Sequence, residues 1–293
     1  MLQALVPRAC ALPAVWRLAA QQCRQYGNKG SLHLTMEPLD DEHEGVFQIS
    51  LTRPDARNAI GRQLLRELVE AVTMVRRERA TRCLLIRSAV PNVFCAGADL
   101  KERAAMTQQE TSEFVTELRQ AFSAVQALPM PTIAVVNGFA LGGGAELALA
   151  CDFRVCGPTA QFAFPEVRLG IIPGAGGTQL LPRLIGRAKA KELIFTGRRV
   201  DAQEAFHIGL ADHAAQQQEE ADSRGLQLAK DIAQGAPIAL RMAKAAINKG
   251  MDVDLQTAYA LEHSYYAQVI PTQDRLEGLR AFKEKRQPHF QGV

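Results

Sequence analysis

The sequence predicts an α/β fold followed by a helical C-terminal region. Three observations carry this. Strand-like apolar runs alternate with helix-period segments along most of the chain, only helical patterns remain from about Glu219 onward, and the residues able to do chemistry fall just after the last apolar position of successive strands.

Taken in order, Val46-Phe47-Gln48-Ile49-Ser50-Leu51 alternates at period two and stops at the turn signal Arg53-Pro54-Asp55. Leu64, Leu65, Leu68, Val72 and Val75 then recur at helical spacing among arginines and glutamates, which predicts an amphipathic helix from Gly61 to Arg79. Cys83-Leu84-Leu85-Ile86 is a continuous apolar run, as expected of a strand buried on both faces. A helix from about Gln108 to Ala127 ends ahead of Pro129 and Pro131, and the strand Thr132 to Val136 follows. The stretch from Thr132 to Ala150 approaches the length of a membrane span, but Asn137, consecutive glycines and Glu146 interrupt it, so a strand, a turn and a buried helix are expected there. Beyond Glu219 the patterns are Leu226, Leu228, Ile232; Ile238, Leu240, Met242, Ile247; Leu255 to Val269; and Leu276 to Lys285. Such a helical tail suits either an oligomer contact or simple capping of the core.

At 293 residues the chain is long enough to bury a sizeable core. Its 47 % hydrophobic and 22 % charged content argues against a disordered chain and against a membrane bundle. A net charge of +3 is too small to imply nucleic acid by itself. Cys10, Cys23, Cys83, Cys95, Cys151 and Cys156 form no CxxC and read as reduced thiols. His33, His43, His207, His213, His263 and His289 never pair at ligand spacing, so no metal site is expected. The chain lacks GxGxxG after a strand, GxxxxGK[ST] and GxSxG, which removes dinucleotide redox, nucleotide hydrolysis and serine esterase chemistry.

The N-terminus differs in kind. Met1 to Met36 contains no Asp or Glu, whereas Arg8, Arg17, Arg24 and Lys29 are spread among apolar residues. That composition reads as a mitochondrial transit peptide, and Arg8, Pro13 and Arg17 break the apolar core that a secretory signal needs. A disordered tail is the alternative. The expected organisation is therefore a leader over 1–36, an α/β core with the active site over 37–218, and a helical region over 219–293 for oligomerisation or for capping the core.

Two carboxyls stand beside turns that leave backbone N–H groups free. Glu146 ends Gly142-Gly143-Gly144-Ala145-Glu146, and Glu166 follows Phe164-Pro165. Upstream, Phe94-Cys95-Ala96-Gly97-Ala98-Asp99-Leu100 supplies another small-residue turn. Two places to bind an oxyanion and two carboxyls to move a proton point to an enzyme acting next to a carbonyl. Paired carboxyls could also serve glycoside hydrolysis, but that leaves the glycine turns unexplained.

Cys95-Ala96-Gly97-Ala98-Asp99-Leu100-Lys101-Glu102, Asn137 through Glu146, and Ile171-Ile172-Pro173-Gly174-Ala175-Gly176-Gly177-Thr178-Gln179 together resemble the enoyl-CoA hydratase (crotonase) family, in order and over nearly the whole chain from about Val46 to Phe290. The ending Ile270 to Gly278 and Ala281 to Arg286 resembles in particular its methylglutaconyl-CoA hydratase branch. The resemblance implies a crotonase-type spiral of repeated β-β-α units, trimers that pair into hexamers, and an acyl-CoA thioester substrate with no separate cofactor, CoA being part of the substrate. It implies oxyanion donors at the N–H groups of Ala96 and Gly143, with Gly97, Ala98 and Asp99 in the same substrate-binding turn. It also implies that Glu146 activates water and Glu166 exchanges the proton at Cα. Arg57 and Lys101 are cations suited to CoA phosphates, and Phe282 and Lys285 match positions that touch the nucleotide from a neighbouring subunit. Retention of both glutamates favours a hydratase over an isomerase or an acyl-CoA hydrolase, and the leader directs it to the mitochondrial matrix. Arg103 is near enough in sequence to meet an acidic acyl group.

One reading from another class stands beside this. The helix region 61–82 carries Arg62, Arg66, Arg76, Arg77, Arg79 and Arg82, and a hydratase of the resembled branch also binds AU-rich RNA; here Glu67, Glu70 and Glu78 interrupt the face, so a solvated amphipathic helix is the simpler expectation.

Overall fold

Successive turns of the chain lay one strand in a large sheet and one in a small sheet before a helical segment returns it to the start of the next turn. The computed structural model describes residues 32–39 and 43–293. Strands β1 (Leu34–Pro38) and β2 (Val46–Leu51) form an antiparallel pair, with Leu34 opposite Leu51. Of the leader expected over 1–36, residues 1–31 lie outside the described residues, while Leu34 to Met36 are already part of β1.

Helix α1 (Arg62–Arg77) buries Leu64, Leu65, Leu68, Ala71, Val72 and Val75, the face its periodicity predicts. It carries the chain to β3 (Cys83–Ser88), parallel to β2, and on to β4 (Val93–Cys95) in the small sheet. Helices α2 (Leu100–Ala104) and α3 (Gln108–Gln126) follow, the latter opened by a capping box in which Thr107 and Glu110 exchange hydrogen bonds. The next turn repeats the plan with β5 (Thr132–Val136) beside β3, β6 (Phe139–Leu141) beside β4, and α4 (Gly143–Leu149), all seven residues of which are buried. A third turn places β7 (Phe153–Cys156) beside β5 and β8 (Gln161–Ala163) beside β6, then enters a short 3₁₀ turn, Pro165–Leu169. Helices α5 (Gly177–Ile185) and α6 (Arg187–Thr196), strand β9 (Val200–Asp201), α7 (Ala202–His207) and β10 (His213–Ala214) complete the core. The large sheet runs β1-β2-β3-β5-β7-β10 and the small one β4-β6-β8-β9.

Alternation along the large-sheet strands divides the core in two. Phe47, Ile49, Leu84, Ile86, Ala134 and Val136 face the space shared with the small sheet and α1. Val46, Cys83, Leu85, Ile133, Val135 and Val155 face the other way, where α8 (Gln218–Ala233) covers them with Ala221, Ala229 and Ala233. The described cysteines, Cys83, Cys95, Cys151 and Cys156, are free and buried.

The last helices are α9 (Pro237–Gly250), α10 (Leu255–Val269) and α11 (Gln273–Glu284). Lys244 of α9 ties this region to the core through Asp152 Oδ2 at 2.6 Å and the Met130 carbonyl at 2.9 Å. Helix α10 buries none of its residues and exposes Leu255, Tyr259 and Tyr266. The C-terminal segment returns over α11, where Asp274 accepts the N–H groups of Gln291 and Gly292, and Arg82 donates to the Phe290 carbonyl. Among the described residues no helix is long and apolar enough to cross a membrane.

Candidate active site

Three neighbouring parallel strands of the small sheet, β4, β6 and β8, end side by side, and each is followed at once by one of the segments singled out in the sequence. Residues 96–99 follow β4, 142–146 follow β6, and 164–166 follow β8. Segments far apart in sequence meet here because strands paired in parallel align their C-terminal ends, the usual place for ligand sites in such sheets.

Gly142 makes the turn into α4 with φ 49° and ψ −118°, a conformation open to glycine. A Cβ there would also lie 2.9 Å from Glu166 Oε1, which places the Glu166 carboxyl against the turn. Gly143 is the first residue of α4, so its N–H has no partner within the helix. A Cβ built on Gly143 would lie 3.7 Å from the Ala98 nitrogen. The two amides are thus neighbours.

The structure distinguishes between Ala96 and Ala98. The Ala96 N–H is donated to the Arg57 carbonyl at 3.1 Å and is not available to a ligand. Ile60 binds the Gly97 carbonyl and the Asp99 N–H in a parallel bridge opposite Ala98. In extended chain the intervening N–H points the other way, and among the described residues the Ala98 N–H has no acceptor. The free amide next to Gly143 is therefore that of Ala98, in correction of the expected Ala96. Alternation of amide direction along the extended segment is the signal that distinguishes them, once one bond of the segment is known.

Glu146 is 2 % exposed and Glu166 8 % exposed. Their surroundings differ. Oε1 of Glu146 accepts the N–H groups of Ala175 and Gly177, each at 2.8 Å. These amides open α5, so the Pro173-Gly174-Ala175-Gly176-Gly177 loop is an anion cradle at a helix N-terminus. Burial raises the Glu146 carboxyl above its ordinary value, and the two N–H groups offset part of that rise. Glu166 Oε2 is buried with no hydrogen-bond partner. Burial pushes Glu166 up to about 7, helped by the charge of Glu146 and opposed by its own backbone N–H.

Asp99 is occupied elsewhere. Its Oδ1 caps α2 by accepting the N–H groups of Lys101 and Glu102, and its Oδ2 pairs with Arg53 at 2.8 Å. Burial works against its charge, but these contacts outweigh it and hold the carboxyl below the ordinary range. Its role is to hold the loop, which the sequence reading missed. Arg57 and Lys101 are exposed beside the site loops, and their side chains have no partner among the described residues. Phe282, 86 % exposed, and Lys285 stand on and just after α11, and no hydrogen bond links their side chains to the site loops among the described residues.

Two neighbouring free amides and two buried carboxyls thus follow the strand ends of a β-β-α spiral, and comparison with known proteins identifies its family. Residues 41–293 match the family described as enoyl-CoA hydratase/isomerase, and the chain belongs to it. It is 49 % identical over 98 % of its length to mouse enoyl-CoA hydratase domain-containing protein 2, mitochondrial, of which it covers 99 %. It is 46 % identical to mouse methylglutaconyl-CoA hydratase, mitochondrial, over 98 % of this chain and 94 % of the relative. Among solved structures, enoyl-CoA hydratase from Bacillus anthracis superposes with a TM-score of 0.86 at 46 % identity, over 89 % of this chain and 100 % of that one. The crotonase fold expected from the sequence is the fold observed, and the chain is an enzyme of the hydro-lyase type.

Proposed function

We propose that the chain adds water across the double bond of an α,β-unsaturated acyl-CoA thioester in the mitochondrial matrix, within fatty-acid or branched-chain acyl-CoA metabolism. The observation that carries this is the pairing of two unengaged amides, Ala98 and Gly143, with two buried carboxyls, one held by two N–H groups and one with an unpartnered oxygen.

The thioester oxygen accepts from both amides, and the negative charge that develops as water reaches Cβ falls on donors that need no reorganisation. The N-terminus of α4 adds a favourable field. Glu146, whose charged form is supported by two N–H bonds, takes a proton from the water as its oxygen bonds to Cβ. Glu166, whose carboxyl burial raises to about 7, gives its proton to Cα. The product is the 3-hydroxyacyl thioester, and the two carboxyls return to their starting forms by exchanging one proton. Paired carboxyls with separated proton affinities are the usual basis for such a division.

Arg57 and Lys101 are offered to the CoA phosphates, with Phe282 and Lys285 approaching from a neighbouring subunit. Exposed Leu255, Tyr259, Tyr266, Leu276 and Leu279 on α10 and α11 suit burial in a homotrimer or hexamer. The mitochondrial names of the relatives support the same location for this chain. The alternative through AU-rich RNA is weakened because Arg62 pairs with Glu110, Arg76 donates to the Ala124 and Ala127 carbonyls, and Arg82 donates to the Ala233 and Phe290 carbonyls.

Steady-state assays over straight, branched and acidic enoyl-CoA thioesters test the proposal. Hydration of at least one, lost in Glu166→Gln with the fold intact, is expected; double-bond migration or thioester hydrolysis in place of hydration would overturn it.

A further inference from the structure

The loop that carries Ala98 is held from outside. Three backbone bonds stitch it to residues 57–60: Ala96 N–H to the Arg57 carbonyl at 3.1 Å, Ile60 N–H to the Gly97 carbonyl at 2.7 Å, and Asp99 N–H to the Ile60 carbonyl at 3.0 Å. One side chain spans both partners. Arg53 donates through Nη1 to the Ala59 carbonyl at 2.7 Å, and through Nη2 it pairs with Asp99 Oδ2 at 2.8 Å, with Glu102 Oε1 at 3.7 Å. Glu102 continues the brace, for its Oε2 accepts the Arg62 N–H that opens α1 at 2.9 Å. The contact depends on Gly61, where a Cβ would lie 2.1 Å from Glu102 Oε1.

None of these charged groups takes part in the proton transfers above. They converge, however, on the residue that follows Ala98. We propose that Arg53 is a positioning residue for hydration: through Asp99 it fixes the direction of the Ala98 N–H toward the thioester oxygen. The assignment rests on the reading of Ala98 and Gly143 as the oxyanion donors. A guanidinium fork gripping a carboxylate and a carbonyl at once fixes orientation as well as distance. Misdirection of the Ala98 N–H weakens an interaction that matters most in the transition state, so it lowers kcat more than it changes ground-state affinity.

The test compares Arg53→Gln, Asp99→Asn, their combination and Arg53→Lys, using a short enoyl-CoA for turnover. A chromophoric enone thioester of CoA, whose absorption moves to the red when its carbonyl is polarised, supplies a readout independent of turnover. Loss of a whole donor costs roughly 10²- to 10³-fold in rate, so its misdirection is expected to lower kcat by about 10- to 100-fold. KM should stay within about 3-fold and most of the red shift should disappear. The double variant should be no slower than the slower single one, since both act through one contact, and Arg53→Lys should recover part of kcat and of the shift. An unchanged kcat, additive losses, or a lower kcat with a full red shift would overturn the assignment. If Arg53→Gln does not fold, Asp99→Asn and Arg53→Lys carry the same comparison. A wild-type protein that neither hydrates nor shifts any such thioester refutes the oxyanion reading itself and this assignment with it, whereas a wild type that does both beside an unaffected Arg53→Gln refutes only the role of Arg53.

Discussion

Burial, and after it the negative charge of Glu146, hold the Glu166 carboxyl at about 7 although its own backbone N–H pulls the other way. Burial raises the Glu146 carboxyl as well, but two N–H groups of the α5 cradle support its charge and offset part of that rise. The two buried carboxyls thus differ in their hydrogen bonding, Glu146 Oε1 holding two N–H groups and Glu166 Oε2 none, and this asymmetry can be tested.

The pH dependence follows from Glu166. Its value in the folded protein, about 7, lies above the ordinary 4.5, so the folded state binds this proton more tightly than the unfolded one. The site's contribution to stability is therefore greatest below about 4.5, declines as pH rises toward 7, and stays at its full cost above that. Glu166→Gln should remove the cost and stabilise the protein at pH 8 by up to about 3 kcal/mol, while abolishing hydration. Denaturant unfolding of both forms at pH 5 and pH 8 reads the difference, and in the wild type kcat should fall as pH rises through about 7.

The choice between Ala98 and Ala96 as donor is open to proline substitution, which deletes a single N–H. Ala98→Pro should cost roughly 10²-fold or more in kcat, because a transition-state donor is lost. Ala96→Pro deletes the bond to Arg57 and should register mainly as lost stability, about 1 kcal/mol or more. Turnover measured beside thermal unfolding separates the two.

Crowding the α5 cradle should disable Glu146. A Cβ at Gly177 would lie 2.9 Å from Pro173 Cβ and 3.1 Å from Glu146 Oε1. Gly177→Ala is expected to reduce kcat about 10-fold or more and to cost about 1–3 kcal/mol of stability. Kinetics and unfolding on one preparation check both figures.

One tie between the C-terminal helices and the core is a partly buried ion pair, Lys244 with Asp152. Lys244→Met leaves Asp152 without its cation, although Thr132 still donates to it. A loss of about 2–3 kcal/mol is expected, below the roughly 3–5 kcal/mol for a fully buried pair because Asp152 is partly exposed, and chemical denaturation measures it.

The exposed aromatic residues of α10 give a last expectation. Tyr259→Glu combined with Tyr266→Glu should reduce the sedimentation coefficient of the native protein by opening a subunit contact. The secondary structure seen by circular dichroism should remain, because α10 buries none of its residues in the chain itself.

Elements with long-range periodicity were readable directly. Val46 to Leu51 and Thr132 to Val136 are strands with the bounds expected, and the expected helix from Gly61 to Arg79 is α1 from Arg62 to Arg77. The three-residue strands β4, β6 and β8 were not, since so short a run carries no periodicity to read. Nor was β1, where Leu34-Thr35-Met36-Glu37-Pro38 ends in a residue that cannot continue a central strand.

Residue types and local turns alone brought Glu146, Glu166 and the small-residue loops into view, because a carboxyl beside an unpaired amide is a chemical pattern written over a few neighbouring positions. Which amide is free, that burial raises the Glu166 carboxyl to about 7, and that Asp99 braces the loop through Arg53 depended on the folded chain. Those properties arise from desolvation and from hydrogen bonds between segments distant in sequence, and such bonds exist only once the parallel strands have set their ends side by side.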